Sequence, residues 1–249
     1  MLAEGRLILT LDGMDTQRTI ALDPATGKTL WIADRSATFA REVAPDARKA
    51  FNTPVLVTAA GRPLLICPAA GGVYAYDPAT GREVWRLRHG GYSGASRTVF
   101  GDGIAYVGTG YDRAELIAVK TQGSGDITQT NVVWRCSEGM PYKPSPVLVD
   151  GLLYVINDAG GLTCLDAATG AVVWRERLGG NYSASPVAAD GRIYLFNERG
   201  KGIVLKPGRA FTLLAENELE DGCMASPAVV GHAIYVRTKS ALYRIEEAR

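Results

Sequence analysis

The sequence predicts an all-β fold in which four-stranded antiparallel units repeat along the chain, and three observations predict it. One ten-residue phrase occurs at 22–31, 76–85 and 165–174, as LDPATGKTLW, YDPATGREVW and LDAATGAVVW. Alternating apolar and β-branched residues fill the segments between Gly, Asp and Asn turns, which is typical of hairpin meanders. No segment carries the periodicity of a helix of useful length.

The clearest copy of the repeat spans Pro144–Gly180 and predicts four short strands. They read PVLV, LLYVI, LTCLD and VVWRERL, and the turns that separate them are DG, NDAGG and AATG. Residues of these types close tight turns between neighbouring antiparallel strands.

Five other segments fit the same pattern, so the 249 residues hold six repeats of about 41 residues each. This is near the length of a four-stranded propeller blade. We therefore predict a β-propeller of four-stranded antiparallel blades that forms one domain, 1–249. The predicted blades are 1–52, 53–95, 96–143, 144–184, 185–225 and 226–249.

Four segments depart from the pattern. The third repeat has an insertion in its third turn, Thr121–Asn131, the fifth has lost its tryptophan, and the sixth stops after three strands. Ala37–Phe51 contains Pro45, which interrupts any helix, so it predicts a long connection with a helical turn at most.

The repeated phrase favours a structural joint between blades over a ligand site, because a joint recurs in every blade. Its aspartates can accept hydrogen bonds from backbone N–H groups two or three residues on, and its glycine supplies the positive φ that closes the turn. The tryptophan lies on the strand that leaves the turn, where its ring can cover the junction with the next blade. The predicted joint residues are Asp23, Gly27, Trp31, Asp77, Gly81, Trp85, Trp134, Asp166, Gly170 and Trp174.

Bulk composition excludes several classes of protein. The net charge is +1, which gives no electrostatic reason to expect nucleic acid as a partner. No apolar run predicts a transmembrane helix, and the N-terminal stretch MLAEGRLILTLDGMD lacks the pattern of a signal peptide. Widely spaced cysteines favour buried apolar positions over a zinc or CxxC site, with a disulfide between neighbouring strands as the alternative. They are Cys67, Cys136, Cys164 and Cys223.

The phrase, preceded by a segment like SPVLVDGLLYVI, resembles the tryptophan-docking repeat of quinoprotein β-propellers. Across essentially the whole chain the sequence resembles the PQQ-like repeat superfamily, and HGGYS, LGGNYSASP and LYRIE are similar to its BamB-like bacterial branch. The resemblance implies a monomeric, non-catalytic scaffold that binds a protein or peptide partner, in the periplasm or another extracytoplasmic compartment. Members usually have seven or eight blades, so we expect upstream residues to be missing. A six-bladed ring is the alternative.

The superfamily also implies an enzyme as an alternative, a dehydrogenase that depends on PQQ and Ca²⁺. Such enzymes need a general-base aspartate, a Ca²⁺ site and a platform for the quinone, and the alcohol dehydrogenases often join adjacent cysteines. This chain has no adjacent cysteines, and turns account for most of its aspartates. We therefore predict no catalytic, cofactor-binding or metal-binding residue, and expect His89 and His232 in solvent-facing loops.

A third function, small-molecule or glycan binding, depends on four loops that join an outer strand to the next inner strand. They read HGGYSGAS, GMPYKPS, LGGNYSAS and DGCMAS, and we expect them near the central mouth of a propeller. Loops on a rigid scaffold often carry binding residues. The alternative is that glycine only turns the chain while tyrosine packs under the next blade. The candidate funnel residues are Tyr92, Ser93, Tyr142, Lys143, Tyr182, Ser183 and Met224.

Overall fold

The computed structural model describes residues 1–39 and 43–247, which form 24 strands in six sheets. The helical segments among these residues are α1 (Ser36–Phe39) and a 3₁₀ helix (Pro45–Arg48), and neither is long and apolar enough to cross a membrane. The chain divides into two compact units, a first from Met1 to Glu138 and a second that begins at Gly139. Each unit contains three sheets, numbered here in chain order.

The first unit holds sheets 1 to 3, whose strands pair antiparallel with their neighbours except for β12. Sheet 1 has its strands in chain order: β1 (Leu2–Ala3), β2 (Arg6–Asp12), β3 (Gln17–Leu22) and β4 (Thr29–Asp34). Sheet 2 has five strands: β5 (Val55–Ala59), β6 (Arg62–Ala69), β7 (Gly72–Tyr76), β8 (Glu83–Arg88) and, beside β8, β12 (Gly125–Asp126). Sheet 3 has four: β9 (Val99–Gly101), β10 (Ile104–Gly108), β11 (Leu116–Lys120) and β13 (Val132–Cys136).

The second unit holds sheets 4 to 6, and each has its strands in chain order. Sheet 4 contains β14 (Val147–Val149), β15 (Leu152–Ile156), β16 (Gly161–Asp166) and β17 (Val172–Arg177). Sheet 5 contains β18 (Val187–Ala189), β19 (Arg192–Phe196), β20 (Lys201–Leu205) and β21 (Leu213–Glu218). Sheet 6 contains β22 (Ala228–Val230), β23 (Ala233–Arg237) and β24 (Leu242–Ile245).

The position of a strand in its sheet decides how much of it is buried. All residues of the inner strands β7 and β15 are buried, whereas the outer strands β17 and β21 expose most of theirs. A strand that is covered on both faces has no polar face to alternate with, so LLYVI in β15 is a continuous apolar run.

Asp-Gly pairs close the hairpins between the first two strands of sheets 3, 4 and 5. At Asp150 and Gly151 the φ angles are +47° and +72°, and at Asp190 and Gly191 they are +47° and +65°. Two consecutive positive φ angles are typical of the type I′ turn, whose twist matches that of the flanking strands. These dipeptides therefore fix the registers of the hairpins.

The insertion in the third repeat builds an extra strand. Its strand β12 pairs in parallel with β8, so that Gly125 lies opposite Trp85 and Asp126 opposite Arg86. Ile127 follows, and its side chain is 2% exposed in a core shared by sheets 2 and 3. The insertion thus covers the outer edge of sheet 2, whereas the sequence pattern indicated only a longer turn.

The sheets confirm the predicted all-β fold of four-stranded antiparallel units. Helix α1 and the 3₁₀ helix both lie in the predicted connection Ala37–Phe51 or at its border, while its residues 40–42 lie outside the described residues. The predicted blade boundaries and the single domain stay predictions.

Candidate functional site

The tryptophan of sheet 1 lies against a turn of sheet 2. Trp31 is 9% exposed, and its indole N–H donates a 3.1 Å hydrogen bond to the carbonyl of Pro78. A Cβ at Gly81, where φ is +72°, would lie 2.5 Å from the Trp31 ring. Glycine at this position therefore serves both the backbone conformation and the close approach of the ring.

The same contact recurs at two further junctions. The fully buried Trp85 donates from its indole N–H to the carbonyl of Thr121 at 2.9 Å. Trp174 is half-buried and donates to the carbonyl of Gly208 at 3.1 Å. Each bond joins a strand of one sheet to the turn after the third strand of the next sheet.

The aspartates of the repeated phrase are used by their own turns. Asp23 Oδ1 accepts from the backbone N–H groups of Ala25 and Thr26, at 3.0 and 2.7 Å, and from the Thr26 hydroxyl at 2.8 Å. Asp77 and Asp166 accept backbone N–H groups in the same way. These bonds, chiefly that from the Thr26 hydroxyl, hold the pKa of Asp23 below its ordinary value. The three carboxylates therefore close turns, and Asp166 Oδ2 also pairs with Arg209 at 3.2 Å.

The third repeat builds its turn inside the insertion. Asp126 accepts from the hydroxyl and the backbone N–H of Thr128, and the hydroxyl bond is the main reason why the pKa of Asp126 is lowered. Trp134, on the strand that follows, is half-buried and packs against Tyr106 with 5.8 Å between ring centroids.

Loops of the second unit bring a lysine, a serine and two carboxylates together. Lys143 Nζ lies 2.8 Å from Ser183 Oγ and 3.5 Å from both Asp158 Oδ1 and Glu198 Oε1. The Ser183 hydroxyl donates to Glu198 Oε1 at 2.5 Å, and Asp158 Oδ2 accepts from the backbone N–H of Tyr142 at 2.7 Å. We call the group Lys143, Asp158, Ser183 and Glu198 the lysine clamp.

The bonds of the lysine clamp are those of a structural contact between loops and do not fit a catalytic site. A nucleophilic serine needs a base that is free to take its proton, but the acceptor of the Ser183 proton, Glu198, is also held by Lys143. The ammonium of Lys143 occupies the space between the two carboxylates. The clamp therefore holds the loop of Tyr142 against two neighbouring turns.

Serine hydroxyls link the starts of the first strands in sheets 4, 5 and 6. The backbone N–H of Ser145 donates to Ser185 Oγ, and that of Ser185 donates to Ser226 Oγ, both at 2.9 Å. A proline follows each serine, so the repeated SP dipeptides are the sequence signal of this ladder. Sequence reasoning used these dipeptides to align the repeats and missed their bonds. The ladder fixes the spacing of the loops that precede the strands.

Among the exposed side chains of these loops are Tyr142, Lys143 and Met224, which we call the loop surface. Tyr142 is 43% exposed, Met224 is 61% exposed and the side chain of Lys143 is 48% exposed. A tyrosine, a methionine and a lysine thus lie exposed on loops that the serine ladder links.

The other candidate funnel residues lie elsewhere. Tyr182 is completely buried in the core of sheets 4 and 5, and burial raises its pKa to about 12. Tyr92 and Ser93 belong to the first unit, where Tyr92 packs edge-to-face on Tyr111 with 5.6 Å between ring centroids. Tyr182 thus packs as the alternative interpretation expects, and a funnel common to all seven residues stays a prediction.

A buried ion pair in the first unit escaped sequence reasoning. Arg35 Nη2 lies 2.6 Å from Asp12 Oδ1, and the two side chains are 4% and 0% exposed. The guanidinium also donates to the Thr19 hydroxyl at 2.9 Å and to the Tyr76 hydroxyl at 3.0 Å. Burial raises the pKa of Asp12 to about 6, although Arg35 opposes the shift. Neither residue belongs to the repeated phrase, so only tertiary structure reveals the pair.

The cysteines and histidines do not form a disulfide or a metal site among the described residues. All four cysteines are free, and Cys67, Cys164 and Cys223 are buried, so the alternative of a disulfide is wrong. The expectation that His89 faces solvent holds only in part, because the residue is half-buried and its Nε2 is enclosed. Its Nδ1 accepts from the N–H of Gly91 at 3.2 Å, and burial lowers its pKa to about 4. Among the described residues, no group of three or more His, Cys, Asp or Glu side chains could hold a metal ion.

Comparisons with known proteins place the chain in a family. The family model described as outer membrane protein assembly factor BamB matches residues 69–126 and 125–214, which is more than half of the chain. A crystal structure of BamB from Moraxella catarrhalis superposes with a TM-score of 0.68 at 14% identity, over 97% of this chain and 69% of that one. A comparison with curated proteins found no match. This structural likeness shows the β-propeller fold, and the family model shows that the chain belongs to the family of the outer membrane protein assembly factor BamB.

Proposed function

We propose that the protein is a non-catalytic scaffold that binds a protein or peptide partner during assembly of proteins at the outer membrane. The description of its family supports this role. We also propose that it acts in the periplasm as a monomer and without PQQ, Ca²⁺ or another cofactor.

The loop surface is the observation that carries this proposal. Tyr142 and Met224 expose large side chains at the ends of loops that the serine ladder and the lysine clamp hold in place. Aromatic residues and methionine are enriched at protein interfaces, and preorganised loops lose little entropy on binding. Exposed side chains on ordered loops favour binding of a macromolecule over catalysis.

Site-specific photocrosslinking in a bacterium with an outer membrane tests the proposal. We expect a photoreactive residue at position 142 or 224 to give a discrete adduct with a protein. The control is the same residue at the exposed Glu176, on the outer strand of sheet 4. Adducts that are absent at both loop positions, or equal at all three positions, would contradict the proposed surface.

Reconstitution with PQQ and Ca²⁺ tests the non-catalytic part of the proposal. We expect no stoichiometric quinone absorbance to remain with the protein after gel filtration, and no dye-linked oxidation of alcohols or sugars. Tight stoichiometric binding together with oxidation would show that the protein is a dehydrogenase.

A further inference from the structure

The outer strand of sheet 5 is an open, unusually exposed edge. Five of the six residues of β21 are exposed, and Leu213 and Leu214 are 45% and 47% exposed. Within the described residues, β21 is the last strand of its sheet and pairs only with β20. The backbone groups on such an edge are a template for another strand.

In the first unit, the corresponding outer edge, that of β8 in sheet 2, is occupied by the additional strand β12. Strand β12 lies parallel to β8, and the N–H of Ile127 donates to the carbonyl of Arg86 at 2.9 Å. The carboxylate of Asp126 lies 3.5 Å from the guanidinium of Arg88, and Ile127 is buried. The occupying segment thus provides one charge and one apolar anchor.

Strands β8 and β21 match residue by residue because they pair with their neighbours in the same register. Arg88 lies opposite Gly72 at the start of β7, as Glu218 lies opposite Lys201 at the start of β20. Both pairings are interrupted by a bulge at the corresponding position. Glu218 is therefore the counterpart of Arg88.

The same register shows two differences at the open edge. Glu216 and Glu218 replace Arg86 and Arg88, so the charge of the edge is inverted. Ala215 stands where β8 has Trp85, so the edge of sheet 5 carries less apolar volume while Leu213 and Leu214 stay exposed. An occupant would need a basic residue where the insertion has Asp126, followed by an apolar anchor.

We propose that β21 docks an extended basic segment of a protein partner, which adds to sheet 5 as a parallel strand. Addition of a peptide strand to an open edge is an established mode of recognition, in which backbone bonds give affinity and side chains give specificity. Glu216 already pairs with Lys201 at 2.9 Å, so the charge of Glu218, the counterpart of Arg88, selects a basic occupant. This inference rests on the proposed protein-binding function but uses a surface separate from the loop surface.

Synthetic peptides test the proposal with the full chain. The probe is the capped peptide of residues 123–131, GSGDITQTN, with Asp126→Lys, and the unchanged peptide is its charge control. We expect fluorescence anisotropy at low ionic strength to show about tenfold tighter binding of the lysine peptide, since one cross-strand pair changes from repulsive to attractive. Glu218→Lys in the protein should reverse the preference, whereas Glu176→Lys, which makes the same charge change on β17, should not.

Three results would overturn the proposal. The first is that neither peptide saturates. The second concerns a lysine peptide with Ile127→Pro, which lacks the backbone N–H donor at that position. If it binds as tightly as the lysine peptide itself, binding depends on charge alone and not on strand pairing. The third is that the chain forms a dimer that Glu218→Lys dissociates, which would make a second copy the occupant. Photocrosslinking from positions 142 and 224 is measured separately, so failure of the loop surface and failure of the edge are distinguishable.

Discussion

The blade joints and the loop surface use similar residue types for opposite purposes. At a joint, a tryptophan such as Trp85 is completely buried and its only polar atom donates to a backbone carbonyl. At the loop surface, Tyr142 and Met224 keep large side chains in solvent. Burial at the joints stabilises the fold, whereas exposure at the loops leaves contact area for the proposed partner. Changes at the two places should therefore separate stability from binding.

The largest effect on stability is expected from Trp85→Ala. Truncation removes a fully buried indole and leaves the carbonyl of Thr121 without its donor, so we expect a loss of about 3–5 kcal/mol in the free energy of unfolding. Urea denaturation measures it. Trp174→Ala is the comparison and should cost less because that ring is only half-buried. Equal costs would show that burial of the ring does not set the strength of a joint.

The buried Asp12 should make stability depend on pH. Its folded pKa of about 6 lies above the ordinary 3.8, so the folded state holds a proton that the unfolded state releases between these values. Asp12 therefore contributes most stability below about pH 4 and loses that contribution as pH rises through about 6, by about 3 kcal/mol. Urea denaturation at pH 4 and pH 7 should show this loss relative to Asp12→Asn. A pH dependence that is the same in both proteins would contradict the shift.

A pair of glycines isolates the contact of the tryptophan ring. Gly27 and Gly81 have φ angles of +71° and +72°, but only a Cβ at Gly81 meets the ring of Trp31. Gly27→Ala should cost about 1–2 kcal/mol, for the backbone alone. Gly81→Ala should cost about 1–3 kcal/mol more, because the ring must move. Thermal or urea unfolding measures both, and equal losses would mean that the ring yields without cost.

The smallest effect on stability is expected at the loop surface. Tyr142→Ala and Met224→Ala remove exposed side chains, so we expect unfolding free energies within about 0.5 kcal/mol of the unchanged protein. Denaturation and crosslinking are measured on the same preparations. A loss of stability as large as that expected at the joints would show that these side chains stabilise the fold.

Much of the fold could be predicted from local sequence. Turn residues such as Asp150 and Gly151 need particular backbone angles, and the repeated phrase sets the spacing of the strands, so the six repeats are visible without a structure. The role of the insertion was hidden because Gly125 and Asp126 pair with a strand of the preceding repeat. Local patterns carry no signal for such a pairing.

The candidate site was less predictable than the fold. The loops that carry Tyr142, Tyr182 and Met224 could be found from the repeat, but not which side chains face solvent, since Tyr182 is buried by packing from two sheets. The lysine clamp joins Lys143 and Ser183, which the loop pattern singled out, to Asp158 and Glu198, which it did not. Asp12 and Arg35 are distant in sequence and lie outside any motif. Their geometry depends on tertiary structure.

Crosslinking from position 142, whose loop the lysine clamp holds, tests most directly whether binding and stability are separate. The adduct is compared in two variants of the second unit, Asp166→Ala at a joint turn and Lys143→Ala in the lysine clamp. We predict that Asp166→Ala keeps the adduct and lowers the melting temperature, since its carboxylate closes a turn and pairs with Arg209 of the next sheet. Lys143→Ala should lose most of the adduct because it frees the loop of Tyr142 and removes an exposed side chain next to it. An adduct that vanishes in the folded joint variant and persists in the clamp variant would contradict the account.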